Sequence, residues 1–123
     1  HPRPPPFPPR PPATPLPVLG APFVLKQKQE ICDGSVPEGL LQVLVVDANG
    51  EPIPGVKITV TWQSGQETFF TGLSPDISPG YADFLMDPAT IYSLRVGEVS
   101  DIVENLSVGV CKGGWNLIFE QSR

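Results

Sequence analysis

The chain has 123 residues, a length that is enough for one domain with a single core, and its formal net charge is −5. Eleven of its 17 prolines fall within residues 1–22, a segment with two arginines and no acidic residue; the rest of the chain holds all 13 acidic residues and six of the eight basic ones, about −7. This acidic body argues against a nucleic acid or an anionic membrane surface as a partner, and no apolar run approaches the roughly 18 residues that a membrane-inserted helix needs.

Residues 1–22 are predicted to form an extended tail or linker, separate from a folded domain over residues 23–123. Proline lacks the amide donor and fixes φ, which leaves a polyproline II conformation that reaches about 65–70 Å at roughly 3.1 Å per residue. Two interpretations stay open, namely a stalk between domains and a docking element in an aromatic groove of a neighbouring copy or partner. A docking element would make its contacts through Pro5, Phe7, Pro8 and Pro11.

Short segments with strand-like patterns follow one another from residue 23 onward. Residues 23–25 are apolar, and the polar run 26–30 after them is either an edge strand or an irregular lead-in. Leu40–Val46 is rich in β-branched residues and ends at the turn sequence 47–50. Further strands are predicted over residues 56–62, 68–71, 81–86, 91–96, 102–103 and 115–119. About seven short strands at roughly ten-residue spacing, with no helical periodicity, predict an all-β antiparallel sandwich.

The alternation within these strands assigns side chains to the core or to water. In residues 56–62 every second residue is apolar, so the three polar residues between them are expected to face solvent. In residues 81–86 the alternation divides the strand between two faces, with Tyr81 on the face opposite Phe84. The residues expected to face water in the first of these strands are Lys57, Thr59 and Thr61. In the second strand, one face holds Ala82, Phe84 and Met86 and the other holds Tyr81, Asp83 and Leu85.

The two cysteines, Cys32 and Cys111, stand just before the first strong strand and just before the last. Both lie in turn-like surroundings, where a bridge that ties the two ends of the fold is more natural than a buried thiol. Reduced, buried cysteines are the alternative. A disulfide implies an oxidising compartment, and the chain begins at His1 without a charged and apolar leader, as expected for a mature secreted protein or for a fragment. We therefore expect a secreted, extracellular location at the cell surface.

The segment from residue 43 to residue 96 carries a family resemblance. The run Val-Val-Asp-Ala-Asn-Gly-Glu-Pro-Ile-Pro-Gly-Val at 45–56, the Thr-Gly at 71–72, the Gly-Tyr-Ala-Asp-Phe at 80–84 and the Tyr-Ser-Leu-Arg-Val at 92–96 succeed one another. This order resembles carboxypeptidase-regulatory-like domains and the related transthyretin-like or bacterial Ig-like domains. The resemblance covers about half the chain and implies an Ig-like or prealbumin-like sandwich; such sandwiches serve as spacers, stalks, pilin units and binding modules.

The sequence offers little material for catalysis or metal binding. Histidine is the commonest acid–base residue and metal ligand, and the chain has one, His1, outside the predicted domain. Two cysteines about 80 positions apart cannot supply a thiolate zinc site, and the acidic loops show no calcium-binding pattern. We therefore expect no catalytic residue, no metal site, no cofactor and no enzymatic activity.

Aromatic residues and one glycosylation sequon are the remaining candidate features. Phe69 and Phe70 are adjacent, so in a strand they point to opposite faces and one of them emerges from the sandwich. Together with Tyr81 they are candidates for an exposed patch that binds a polyproline segment, a sugar ring or another subunit. Asn105-Leu106-Ser107 is a sequon, which makes Asn105 a candidate N-glycosylation site.

Two functions are compatible with these features. The first is a non-enzymatic structural or assembly module of a filament or surface fibre, whose tail docks on or links to a neighbouring subunit. The second is an accessory binding module for polysaccharide or cell-wall material within a larger secreted protein. The expected partners are other copies of the chain or a neighbouring protein, with a glycan as the other candidate.

Overall fold

The computed structural model describes residues 22–122, which form eight β-strands. Within these residues there is no helix that is long and apolar enough to cross a membrane. The tail contacts predicted at Pro5, Phe7, Pro8 and Pro11 lie outside the described residues. The strands are β1 Phe23–Ile31, β2 Leu40–Val46, β3 Lys57–Trp62, β4 Gly65–Phe70, β5 Tyr81–Leu85, β6 Tyr92–Val96, β7 Val103–Leu106 and β8 Gly114–Gln121.

The strands form two four-stranded sheets that pack face to face, which confirms the predicted sandwich. Sheet A has the order β1-β8-β2-β5 and sheet B the order β4-β3-β6-β7. All neighbouring strands are antiparallel except β2 and β8, which run parallel with Leu41 opposite Trp115. The last strand enters sheet A between β1 and β2; β1 and β2 run in opposite directions, so β8 can be antiparallel to only one of them. The prediction of an antiparallel sandwich therefore needs this one correction.

The core lies between the inner faces of the two sheets, where alternate residues of each strand point. Ten side chains have less than 2 % of their surface exposed, with Phe119 the largest. Fully burying one such aliphatic or aromatic side chain stabilises the fold by about 1.5–3 kcal/mol relative to leaving it exposed. The ten are Phe119, Leu41, Ile58, Leu94, Leu106, Leu117, Val43, Val45, Val60 and Val96.

Thr59 is a departure from the predicted solvent-facing positions. It lies on the outer face of sheet B, yet only 4 % of it is exposed, and its hydroxyl has no hydrogen-bond partner. The residues directly opposite it are Thr68 on β4 and Arg95 on β6. Because β3 is an inner strand, Thr68 and Arg95 flank Thr59 from both sides and shield it from water, whereas Thr61 on the same face is exposed as predicted.

The connections between strands collect at two opposite ends of the sandwich. We call the first the root end, because β1 begins there; it consists of Pro22, Ser122 and the loops 47–56, 71–80 and 97–102. We call the second the disulfide end, because it contains both cysteines; it consists of the loops 32–39, 63–64, 86–91 and 107–113.

Candidate functional site

A row of four aromatic rings fills the side of the sandwich between strands β4 and β5. The ring of Phe69 stacks on Phe84 with centroids 5.8 Å apart, and Phe84 meets Tyr92 edge to face at 5.4 Å. Tyr92 in turn meets Trp62 edge to face at 5.5 Å. Because β4 and β5 are outer strands of their sheets, Phe69 and Phe84 are only half-buried, and Trp62 is half-buried because it is the last residue of the inner strand β3. The row therefore presents aromatic surface along an open side of the domain.

The row opens at the disulfide end into a hollow beside Trp62. Trp62 is the last residue of β3, and a two-residue connection turns the chain directly into β4. Gly65, opposite Trp62, leaves room for the ring, since a Cβ there would come within 3.3 Å of the indole. The hollow has a volume of about 280 Å³ and is lined by Trp62, Gln63, Ser64, Ala89, Thr90 and Ile91.

The opposite wall of the hollow is a loop that its own hydrogen bonds hold in shape. The Asp87 carboxylate accepts from the amide of Ala89 at 2.8 Å, and the Asp87 carbonyl accepts from the amide of Thr90 at 3.1 Å. The Asp87 amide donates to the hydroxyl of Tyr92 at 2.9 Å, which ties the loop to the aromatic row. Ile91 remains 63 % exposed at the rim.

The hollow combines an aromatic face with polar groups that are free to bind a ligand. The indole of Trp62 lines the hollow and carries one N–H donor. Gln63, Ser64 and Thr90 add amide and hydroxyl groups around the ring. An aromatic face with a few convergent polar groups can bind a proline-rich peptide or a sugar ring.

The disulfide end also contains the predicted bridge between Cys32 and Cys111, whose Cα atoms are 5.5 Å apart. Next to it, the Asp33 carboxylate accepts hydrogen bonds from Ser35, which hold the pKa of Asp33 below its ordinary value of 3.8. The Glu30 carboxylate lies within 4.8 Å of both cysteine sulfurs. Since both sulfurs are in the disulfide, they are not thiolate ligands, and this group is not a metal site.

The root end fixes the point from which the proline-rich segment leaves. The Pro22 carbonyl accepts from both the amide and the hydroxyl of Ser122, each at 2.9 Å. The Phe23 amide donates to Val99 at 2.9 Å, and the Phe23 carbonyl accepts from Asp101 at 3.0 Å. The Phe23 ring is buried against Gly97, where a Cβ would come within 2.8 Å of it. The start of β1 is therefore held by the last residues of β8 and by the loop 97–102.

Comparisons with known proteins give no family for this chain. No family model and no curated protein matches it. One solved structure that it resembles is the C-terminal fragment of the pilus adhesin SpaC from Lactobacillus rhamnosus GG, at 13 % identity and a TM-score of 0.43. The match covers 71 % of this chain and 46 % of that one, and it carries no argument about function. The likeness to carboxypeptidase-regulatory-like and transthyretin-like domains stays a prediction.

The three aromatic residues predicted to form one exposed patch lie in three different places. Phe69 is in the aromatic row, whereas Phe70 is 44 % exposed on the outer face of sheet B, opposite Lys57. Tyr81 is only 7 % exposed, so it does not contribute its ring to an exposed patch. Its hydroxyl donates to Asp83 at 2.9 Å and accepts from Gln42 at 3.3 Å on the outer face of sheet A. Burial, and secondarily the neighbouring Asp83, raises the pKa of Tyr81 above its ordinary value of 10.0.

Asn105, the candidate glycosylation site, is exposed in the short edge strand β7. Its φ of 58° lies in the left-handed region, which asparagine tolerates better than most residues. The β6–β7 register shifts at this point, with Tyr92 opposite Leu106 but Leu94 opposite Val103. The left-handed backbone conformation therefore explains an asparagine in this bulge without a glycan, and glycosylation of Asn105 stays a prediction.

Sequence reasoning missed the hollow, because alternation placed Trp62 simply in the core. The structure does pack Trp62 against Tyr92, but the ring is at the last position of a strand, where the covering layer ends. The available signal was a tryptophan immediately before a tight Gln-Ser-Gly turn. The second wall, loop 86–91, is more than 20 positions away in sequence and could not be paired with it from pattern alone.

Proposed function

We propose that this chain is a non-enzymatic, extracellular assembly module whose proline-rich segment links it to a neighbouring copy. The observation that carries the proposal is the fixed root of that segment, where Pro22 and Phe23 are bonded to Ser122, Val99 and Asp101. A segment that only separates two independent domains does not need so firm an attachment. A connector that transmits position from one subunit to the next does.

Two further features support an extracellular structural role. The Cys32–Cys111 disulfide fits an oxidising compartment, and such bridges are rare in proteins that stay in the cytosol. The chain's single histidine is His1, and the described residues hold no group of potential metal ligands apart from Glu30 and the oxidised cysteine pair. A binding or structural role needs neither an acid–base pair nor a metal.

The proposal is tested by the mass of the full chain over a concentration series. We expect light scattering to show association that grows with concentration, and electron microscopy to show strings or fibres. An excess of a synthetic peptide with the sequence of residues 1–13 should lower the mass by competition, and a peptide with the same residues in scrambled order should not. A monomer at every concentration would contradict the assembly role.

The hollow beside Trp62 also favours a second function, an accessory module that binds polysaccharide. A sugar ring can stack on the indole while Gln63 and Thr90 bond its hydroxyls. Co-sedimentation of the full chain with insoluble cell-wall polysaccharides, together with a glycan array, tests this role. Binding that a Trp62→Ala variant loses would support it.

A further inference from the structure

We infer that the hollow beside Trp62 receives residues 3–11 of the proline-rich segment of a second copy. The inference rests on the proposed function and names the surface that the function would use. Residues 3–11 read Arg-Pro-Pro-Pro-Phe-Pro-Pro-Arg-Pro, with an aromatic residue, Phe7, at the centre and an arginine near each end. The docked segment is therefore apolar in the middle and basic on both sides.

The chemistry of the hollow matches a proline-rich peptide better than an ordinary one. Six of these nine residues are prolines, which have no amide donor but keep their carbonyl acceptors. A receiving surface must then supply donors and flat apolar faces. Trp62 supplies both, since its ring edges the hollow and carries an N–H donor, and Gln63, Ser64 and Thr90 bring further donors. An ordinary peptide would bring amide donors of its own that need acceptors.

Charge favours the same occupant. The segment is basic through Arg3 and Arg10, and the body of the protein is acidic. Glu67 is an exposed residue of β4 on the same face of the strand as Gly65, the residue opposite Trp62. Asp87 is in the loop that forms the other wall. Neither residue lines the hollow, but acidic residues on the strand that follows one wall and in the loop that forms the other suit a segment with arginines on both sides of an aromatic centre.

The position of the hollow makes the partner's segment the better occupant than the chain's own. The segment leaves from the root end, and the hollow is at the disulfide end. To reach its own hollow, the segment would have to reverse direction at the root end and run back along the roughly 23 Å length of a seven-residue strand such as β2. A segment that continues the direction of β1 points away from its own hollow and toward that of a copy placed in line. Such a head-to-tail contact does not close on itself, so it builds strings.

The experiment compares two full-chain variants that each place a lysine at an exposed aliphatic position of the disulfide end. Ile91→Lys puts the charge at the rim of the hollow, where the residue is 63 % exposed. Val110→Lys puts it in the loop 107–113, at a residue that is fully exposed and outside the hollow. Neither variant disturbs the core, so both should fold. We expect Ile91→Lys to weaken self-association, measured by sedimentation, by about tenfold or more, and Val110→Lys to leave it unchanged.

A second pair of variants tests the charge complementarity. Glu67→Lys should weaken association several-fold, and its matched control Glu51→Lys, at an exposed position of the root end, should not. Reversing the segment's own charges with Arg3→Glu and Arg10→Glu should weaken association as well. In the Glu67→Lys background, the Arg3→Glu and Arg10→Glu changes should weaken self-association by a smaller factor than they do in the original chain.

The outcomes separate this inference from the proposed function. Self-association that persists in Ile91→Lys at the level of Val110→Lys would overturn the hollow as the receptor and leave the assembly role standing. A chain that stays monomeric throughout would overturn both. Self-association that stops when soluble polysaccharide is added, but not when the peptide of residues 1–13 is added, would make the hollow a glycan site and overturn the inference.

Discussion

The two ends of the sandwich are held together by different means. At the root end, the start of β1, the end of β8 and three loops are joined by backbone hydrogen bonds, such as those of Pro22 with Ser122 and of Phe23 with Val99. At the disulfide end, the two long loops 32–39 and 107–113 are joined by one covalent bond and by a hydrogen bond from the Gly39 amide to the Gly113 carbonyl at 2.8 Å. The hydrogen-bonded start of β1 gives the proline-rich segment a fixed starting point at the root end. At the disulfide end, the covalent bond joins loops other than the two that line the hollow, 63–64 and 86–91; loop 86–91 is held instead by the hydrogen bonds of Asp87.

Removing the covalent bond between Cys32 and Cys111 should have the largest effect on stability. The bridge spans 79 positions, and closing so long a loop stabilises the fold by about 4–5 kcal/mol if the effect is entropic. A Cys32→Ala, Cys111→Ala variant should lose a stability of that size in chemical denaturation.

The control for this variant is Val110→Ala, which alters a fully exposed neighbour of Cys111 in the same loop. It should change the free energy of unfolding by less than about 0.5 kcal/mol. If the cysteine variant lost less than about 1 kcal/mol, the disulfide end would be held by something other than its bridge. Hydrogen exchange should also show the loss concentrated at the amides of that end.

A smaller effect is expected from removing a single bond at the root end. The Asp101 carboxylate accepts from the amide of Leu25 at 2.8 Å, on the exposed edge of β1. An Asp101→Ala variant should cost about 1 kcal/mol, as is usual for one hydrogen bond, and should speed exchange of the Leu25 amide. Asp76→Ala, at an exposed residue of the loop 71–80, is the matched control and should leave that amide unchanged. Slower exchange at Leu25, or equal effects of both variants, would contradict the assigned role of Asp101.

The sequence predicts the layers of this fold better than their edges. Alternation alone places β2, β3 and β6 and identifies Ile58, Val60 and Leu94 as core residues. The sequence does not decide whether residues 26–30 form a strand, because they are polar. Their pairing with β8 makes them part of β1. The parallel pairing of β2 with β8 depends on the same distant contact. The alternation of apolar and polar residues within a strand predicts which side chains are buried, but it does not predict which strands pair with each other.

The same limit applies to the candidate site. Tyr81 is buried because Gln42 and Asp83, its neighbours across and along the sheet, bond its hydroxyl, and the strand's own alternation could not show this. The hollow exists because a two-residue turn and a loop more than 20 positions away face each other. The cysteines were the exception, since turn sequences around both residues pointed to a bridge at the surface. A site that is formed by loops distant in sequence cannot be predicted until the fold that brings the loops together is known.

The smallest effect expected is a pH dependence of opposite sign at the two ends. The pKa of Tyr81, where β5 begins at the root end, is raised, so the folded state favours the neutral phenol. Its contribution to stability is present below the ordinary value of 10.0 and is lost as pH rises through the folded pKa. The pKa of Asp33, at the disulfide end, is lowered, so its contribution is present above 3.8 and is lost as pH falls through the folded pKa.

These two shifts can be separated by variants and spectroscopy. Because the chain has two tyrosines, the tyrosinate absorbance of the original minus that of Tyr81→Phe isolates Tyr81, whose midpoint should lie above 10.0. Unfolding measurements should show that Tyr81→Phe reduces the loss of stability at alkaline pH and leaves the loss at acid pH unchanged. Asp33→Asn should reduce the loss at acid pH and leave the loss at alkaline pH unchanged. The acid effect should be the weaker one, since Asp33 is fully exposed and water competes for its hydrogen bonds. If Tyr81 titrated at or below 10.0, its hydroxyl would not be buried in solution, and the outer face of sheet A would be open beside the root end.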